Sequence, residues 1–208
     1  MKVAIFGGES CLGIHLAKQA VSAGYSVSLL VSQLATSATQ RRLEYICGSL
    51  DDTGAVESTL AGADAVVVID TTGHTVTAED MERLLVIMGD HMVRRLVVAT
   101  DRPPEISAAT ATPWWRVLVG GQEQQPQEVF ECIRRSNFDW TILHATGFKN
   151  EQPQPSMVTA VLLRQQSDVP LGPLAESDFA RHIFHQMTDA SYVQRSAIVG
   201  EPTIVTES

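Results

Sequence analysis

The sequence predicts a doubly wound α/β domain: a parallel sheet covered by helices on both faces, three layers in all. Three observations carry this expectation. Short β-rich runs alternate with longer helical patterns, so successive strands are joined by helices and run parallel through right-handed crossovers. The first run ends in a glycine pair just ahead of a helical pattern. Residues 65–69 form a nearly pure β-branched run, which burial on both faces of a parallel sheet favours.

The elements follow in order. Residues 2–6 form a compact apolar run that stops at Gly7-Gly8 and reads as a buried strand. Residues 12–23 carry Leu12, Leu16, Ala20 and Ala23 at helical spacing and end before Gly24. Residues 26–31 and 44–47 read as the second and third strands. Residues 53–60 form a short helix capped by Asp51 or Asp52. Residues 65–69 are the fourth strand. Residues 77–91 form a helix with Met81, Leu84, Leu85 and Met88 on one stripe. Residues 95–99 are the fifth strand. Residues 123–135 form an amphipathic helix carrying Val129, Phe130 and Ile133, and residues 140–144 the sixth strand.

After Phe148 the pattern loosens. Residues 151–156, rich in Pro and Gln, read as a loop, and residues 158–163 as a strand. Residues 177–188 read as a helix capped by Ser177, and residues 197–199 as a last strand. A tail of this size cannot form its own core. The expectation is one domain over residues 1–208, with 149–208 as a substrate-side tail folded over the sheet's carboxyl edge.

Composition narrows the function. Apolar residues make up 44% and charged residues 19% of the chain, a balance suited to a packed globule. The net charge of −9 argues against nucleic acid or an anionic membrane as partner. No apolar run approaches the ~18 residues of a bilayer span. The start of the chain is too short before its glycines for a signal peptide. Cys11, Cys47 and Cys132 show neither metal-ligand nor disulfide spacing. A cytoplasmic domain without a metal is the expectation.

The loop Gly7-Gly8-Glu9-Ser10-Cys11-Leu12-Gly13 is the main chemical signal. Glycines between a strand and a helix let the backbone approach an anion, which the free amides and dipole of the helix start then hold. The plain GxGxxG spacing fails here. The GxxGxxG spacing of short-chain dehydrogenases fits if Ser10 replaces the middle glycine. The serine then adds a Cβ where a left-handed or crowded backbone favours glycine, at about 1 kcal/mol. Cys11 would lie at a helix start, which lowers a thiol pKa; burial as a small apolar residue is its plainer role.

Other segments join the loop in a familiar order: Leu60-Ala61-Gly62-Ala63-Asp64-Ala65-Val66-Val67, Arg94-Arg95-Leu96-Val97-Val98-Ala99-Thr100, Asn137-Phe138-Asp139-Trp140-Thr141-Ile142-Leu143 and Ser177-Asp178-Phe179-Ala180. Over nearly its whole length the chain resembles the NAD(P)H-binding, NmrA-like group of atypical short-chain dehydrogenase/reductases, which includes flavin and biliverdin reductases and epimerase relatives. The resemblance implies a Rossmann-type domain with a dinucleotide across the carboxyl ends of its strands. Gly7, Ser10, Cys11, Leu12 and Gly13 would surround the pyrophosphate. Ser32 would stand where the group often has an arginine for a 2′-phosphate, Leu50 near the adenine, and Ile69, Asp70 and Thr71 beside the nicotinamide ribose. The expected ligand is NADP or NAD, with NADP preferred.

The implied activity is hydride transfer to a small flavin, quinone or carbonyl acceptor. The alternative is a non-catalytic dinucleotide-sensing or protein-binding regulator. No Tyr-x-x-x-Lys pair occurs in the chain, Ser49 replaces a common aspartate, and His144-Ala145 replaces a common Arg-Pro. Catalytic candidates are His144, Thr100 and Asp101, with His74 as a substrate or cofactor contact. Arg41 and Arg42 are candidates for the missing 2′-phosphate contact. Trp114 and Trp115 suit a lid, packing or a subunit contact. A homodimer is an expected assembly. His182 and His185 share a helical spacing that can hold a metal, but no third ligand is evident, and a solvated face is the simpler reading.

Overall fold

The computed structural model describes residues 1–33, 41–71, 74–102, 128–149, 159–162 and 170–202. Strand β1 (Lys2–Phe6) lies between β2 (Ser26–Val31) and β4 (Ala65–Asp70), parallel to both. Strand β3 (Leu43–Cys47) flanks β2. On the other side β5 (Arg95–Thr100), β6 (Asp139–Ala145) and β9 (Arg195–Pro202) follow β4, all parallel. Strand β7 (Thr159–Leu162) pairs antiparallel with β9, giving the order β3-β2-β1-β4-β5-β6-β9-β7. The short β8 (Leu171–Gly172) also pairs with β9.

Period-two alternation divides the core. Val3 and Ile5 of β1 turn to one face, Ala4 and Phe6 to the other, and all four are fully buried. The first face packs on α1 (Cys11–Ser22) through Leu12, Leu16 and Ala20, and on α5 (Glu176–Thr188) through Phe179 and Ile183. The second packs on α2 (Thr53–Leu60) through Val56 and Leu60 and on α3 (Ala78–Asp90) through Met81, Leu84 and Met88. It also packs on α4 (Glu128–Arg135) through Phe130 and Ile133. The three-layer, doubly wound α/β expectation holds. Among the described residues no helix is long and apolar enough to cross a membrane.

Capping explains the helix starts. Asp52, not Asp51, caps α2, its Oδ1 accepting from Ala55 N–H at 3.1 Å. Thr77 caps α3 in a capping box with Asp80. Ser177 is not the cap of α5: that position is Ala175, with no side-chain bond, and the helix begins at Glu176. The tail segment contributes β7, β8, α5 and β9, so the described part of it widens the sheet and covers one face. Strand β9 is longer than the expected 197–199 because its polar ends pair with β6 and β8. The helix expected over 123–135 is described from Glu128. The loop at 151–156 and Trp114-Trp115 lie outside the described residues.

Candidate functional site

The chain leaves β1 for β2 on one side, and later runs from β4 away on the other. The loops after β1 and β4 therefore diverge, and a crevice opens at the carboxyl edge between them.

The glycine loop lines this crevice. Gly7 has φ of +85°, a region open chiefly to glycine. A Cβ on Gly7 would lie 2.7 Å from His74 Cδ2 and 3.0 Å from the Ile69 carbonyl oxygen. A Cβ on Gly13 would lie 2.7 Å from the Gly7 carbonyl oxygen, so only glycine lets α1 rest on its own loop. Ser10 corrects the expectation. Its backbone is extended, at φ −68° and ψ 153°, so its Cβ brings no backbone strain; the left-handed turn falls at Gly7. Ser10 is the N-cap of α1. Its Oγ accepts from Gly13 N–H at 3.0 Å and donates to the Gly7 carbonyl at 2.7 Å. The amides of Cys11 and Leu12, as first-turn groups, have no acceptor within the helix.

Two cavities open along the crevice. One, of about 370 Å³, is lined by Gly7, Glu9, Ser32, Leu50, Asp51 and His74 among others. The second, of about 330 Å³, is lined by Ser10, Cys11, Leu12, Thr71, Asp101 and Phe148, with Glu9, His74 and Glu176. Both volumes lie within the ~300–1,000 Å³ of small-molecule sites. Glu9 and His74 form the partition between them, Glu9 Oε1 lying 3.8 Å from His74 Nδ1. Glu9 Oε2 accepts from Ser32 N–H at 2.9 Å and Ser32 Oγ–H at 2.5 Å. These bonds, the hydroxyl's first, hold the Glu9 carboxyl below its ordinary pKa.

Ile69 is fully buried, and Thr71 exchanges backbone hydrogen bonds with His74 at 2.8 and 3.0 Å. Asp70 is also fully buried. Its Oδ1 accepts from Val76 N–H at 3.0 Å and meets Arg102 Nη2 at 2.9 Å, while Oδ2 has no partner. Burial raises its pKa against the opposing pull of these bonds. Its side chain thus ties the loop after β4 to the loop after β5.

The catalytic candidates separate. Asp101 lines the second cavity. Thr100 and His144 lie behind it, both fully buried. Thr100 Oγ1 accepts from Arg102 N–H at 3.0 Å, and His144 Nδ1 lies 2.9 Å from the Arg102 carbonyl oxygen. Burial lowers the His144 pKa to about 4, so the ring is neutral near pH 7 and Nδ1–H donates to that carbonyl. The expectation that His144 faces the cleft does not match this placement: its ring lies edge-on to Phe130.

Cys11 is exposed rather than buried. The nearby Glu176 carboxylate raises its pKa, the reverse of the effect expected from the helix start. Cys11, His15 and Glu176 bring ligand-type atoms within 4.8 Å of one another. Spacing along the chain does not signal this grouping, because Glu176 is distant in sequence and meets α1 only through α5. Arg42 donates to the Gly24 carbonyl, and its own carbonyl accepts from Val27 N–H at the start of β2. It therefore lies at the amino edge of the sheet, opposite Ser32, and corrects its candidacy for a 2′-phosphate. His182 packs near Tyr192, with ring centroids 6.1 Å apart. Sequence reasoning also missed the reach of Glu9 to Ser32; the signal was a carboxylate in a loop that must border the end of β2.

Gly13 lacks the Cβ that would close the loop, and the amides of Cys11 and Leu12 suit a diphosphate. Ser32 and Leu50 line the cavity on one side of Glu9 and His74, and Thr71 and Asp101 the cavity on the other. His74 Nε2, buried and unpartnered between the cavities, could give a ligand there a further polar contact.

The model of the NAD(P)H-binding family matches residues 7–190. Among solved structures, a short-chain dehydrogenase/reductase from Veillonella parvula in complex with NADP is 18% identical. It aligns with a TM-score of 0.77 over 97% of this chain and 94% of that one. ChuY, an anaerobilin reductase from Escherichia coli O157:H7, is 17% identical, with a TM-score of 0.75 over 100% of both chains. A Rossmann-fold NAD(P)-binding family protein from Shigella flexneri is 14% identical, with a TM-score of 0.72 over 100% of this chain and 96% of that one. At these identities the likeness is one of fold. The family match runs from the first glycine of the loop to beyond the end of α5, and this chain belongs to the NAD(P)H-binding family, whose ligand is a nicotinamide dinucleotide.

Proposed function

We propose that this domain is an NAD(P)H-dependent oxidoreductase that reduces a small planar acceptor, a flavin or quinone before a simple ketone. The observation that carries the reading is the start of α1: the Cys11 and Leu12 segment opens on the same cavity as Thr71, Asp101 and Phe148. A diphosphate grip thus lies beside room for an acceptor. When bound, the reduced dinucleotide supplies the hydride. The chain's own residues bind and orient. The first-turn amides and the α1 dipole hold the diphosphate. Phe148 gives the acceptor an apolar wall, and Asp101 a polar one. Thr100, His144 and Asp70 are positioning residues that fix Arg102, and with it the loop carrying Asp101. A flavin or quinone draws its proton from water, so the missing Tyr-x-x-x-Lys pair is no obstacle. A simple ketone needs a placed donor.

A specific observation favours the second reading, a dinucleotide-sensing regulator. Three acidic side chains, Glu9, Asp101 and Glu176, line the diphosphate cavity. Carboxylates there weaken anion binding. Thermal unfolding with NADH, NADPH and no ligand, followed by loss of the reduced-nicotinamide absorbance with flavin or quinone present, separates the readings. Stabilisation with oxidation supports the reductase. Stabilisation alone supports the sensor. Neither effect contradicts both.

A further inference from the structure

In dinucleotide-binding α/β domains the residue after β2 commonly chooses the cofactor: a carboxylate there accepts from the ribose 2′-hydroxyl, and an arginine takes a 2′-phosphate. Ser32 holds that position here and supplies neither group. The sequence between Val31 and Arg41 contains no Lys or Arg, and Arg42 is engaged at the opposite edge of the sheet. The carboxylate comes instead from the glycine loop. Glu9 crosses to the end of β2, where Ser32 binds its Oε2 through both the amide at 2.9 Å and the hydroxyl at 2.5 Å.

This arrangement leaves acceptor capacity. A carboxylate offers about four lone-pair sites, and Ser32 uses two, both on Oε2. Oε1 is 3.8 Å from His74 Nδ1, too far for a hydrogen bond. The side chain is 41% exposed and lines the cavity that Leu50 borders. Asp51 and Asp80 line the same cavity, which adds negative charge against a phosphate. The nearby guanidinium, Arg83, already meets Glu79 at 3.1 Å and Asp80 at 3.3 Å.

We propose that Glu9 is the specificity-determining residue of the cofactor site: held at the end of β2 by Ser32, its carboxylate accepts from the 2′- and 3′-hydroxyls of the adenosine ribose and repels a 2′-phosphate, so the site takes NADH in preference to NADPH. The proposal rests on the dinucleotide reading above and replaces the NADP preference expected from resemblance. Ser32 is a positioning residue for Glu9. Neutralising Glu9 removes a charged acceptor for NADH and a repulsive charge for NADPH, so the two affinities move in opposite directions.

The test is isothermal titration of NADH and NADPH into the intact chain, Glu9→Gln and Ser32→Ala, with circular dichroism to confirm folding. The native chain is expected to bind NADH at least about tenfold more tightly than NADPH. Glu9→Gln is expected to shrink that ratio by about tenfold or more, weakening NADH and strengthening NADPH. Ser32→Ala, which keeps the amide bond to the carboxylate but removes the hydroxyl bond, is expected to weaken NADH while keeping NADPH disfavoured. Equal or tighter NADPH binding by the native chain, or an unchanged ratio in Glu9→Gln, overturns the assignment of Glu9 and leaves the dinucleotide reading standing. Binding of neither nucleotide by the folded native chain overturns both.

Discussion

Asp70 and Arg102 meet at 2.9 Å where β4 and β5 end, with the carboxylate fully buried and the guanidinium 32% exposed. Arg102 is held from three sides: its side chain by Asp70, its amide by Thr100 and its carbonyl by His144. Residues from β4, β5 and β6 thus converge on the loop that carries Asp101 into the crevice. The site is organised by buried polar bonds behind it as much as by the groups that line it.

Removing one partner of this pair is predicted to depend on which one goes. Arg102→Met strands the Asp70 carboxylate, buried with only the Val76 amide, and should cost about 3 kcal/mol or more. Asp70→Asn keeps an acceptor for that amide and leaves an arginine that, at 32% exposed, still reaches water, so it should cost less. Urea denaturation of both variants checks the order; an equal or reversed cost contradicts it.

Ser10 is predicted to act as a cap. Ser10→Ala should cost about 1 kcal/mol and Ser10→Gly only a few tenths. Comparable losses for the two variants, in chemical denaturation, would count against a capping role.

Gly13→Ala is predicted to be far worse than an ordinary helical substitution. Its Cβ would meet the Gly7 carbonyl oxygen at 2.7 Å and Gly8 Cα at 2.9 Å, both backbone atoms that cannot turn aside. A loss of about 2 kcal/mol or more is expected, together with weaker nucleotide binding. Both are read from denaturation and titration of the same variant, and a nearly neutral Gly13→Ala contradicts the close approach of α1.

Acid should destabilise the protein through His144. Its folded pKa is lowered to about 4 from 6.5 by burial, so the unfolded chain binds the proton more readily. The stabilisation is complete above the unfolded value and is lost as pH falls from about 6.5 towards 4, a change of roughly 3 kcal/mol at most. His144→Asn keeps a donor for the Arg102 carbonyl and removes the titration. Urea midpoints at pH 7.5 and 5 should therefore differ less in the variant than in the native chain; an equal difference contradicts the assignment. His182, also lowered to about 4 by burial, adds a parallel loss in both proteins.

Much of the fold was legible because local patterns matched the layers that bury them. The β-branched run of β4 is buried throughout, and the Met81, Leu84 and Met88 stripe faces the sheet as its spacing requires. The ends of β9 were not legible, since Arg195, Ser196 and Glu201 join the strand through pairing rather than through their own character. In the site, the glycine turn was readable, but the role of Ser10 depended on where the positive φ fell. The Glu9–Ser32 contact spans 23 residues and exists because β1 and β2 are neighbours. His144 looked like a cleft residue because a polar group ends an apolar strand; only the packing of Phe130 and the Arg102 carbonyl shows it buried.

The diphosphate grip at the start of α1 is tested most directly by thermal unfolding of the intact chain with NADH, ADP-ribose or AMP at equal concentrations. If the Cys11 and Leu12 amides hold the diphosphate, NADH and ADP-ribose both raise the melting temperature, and AMP, with one phosphate, raises it much less. No rise with NADH or ADP-ribose, or a rise with AMP as large as theirs, contradicts the grip.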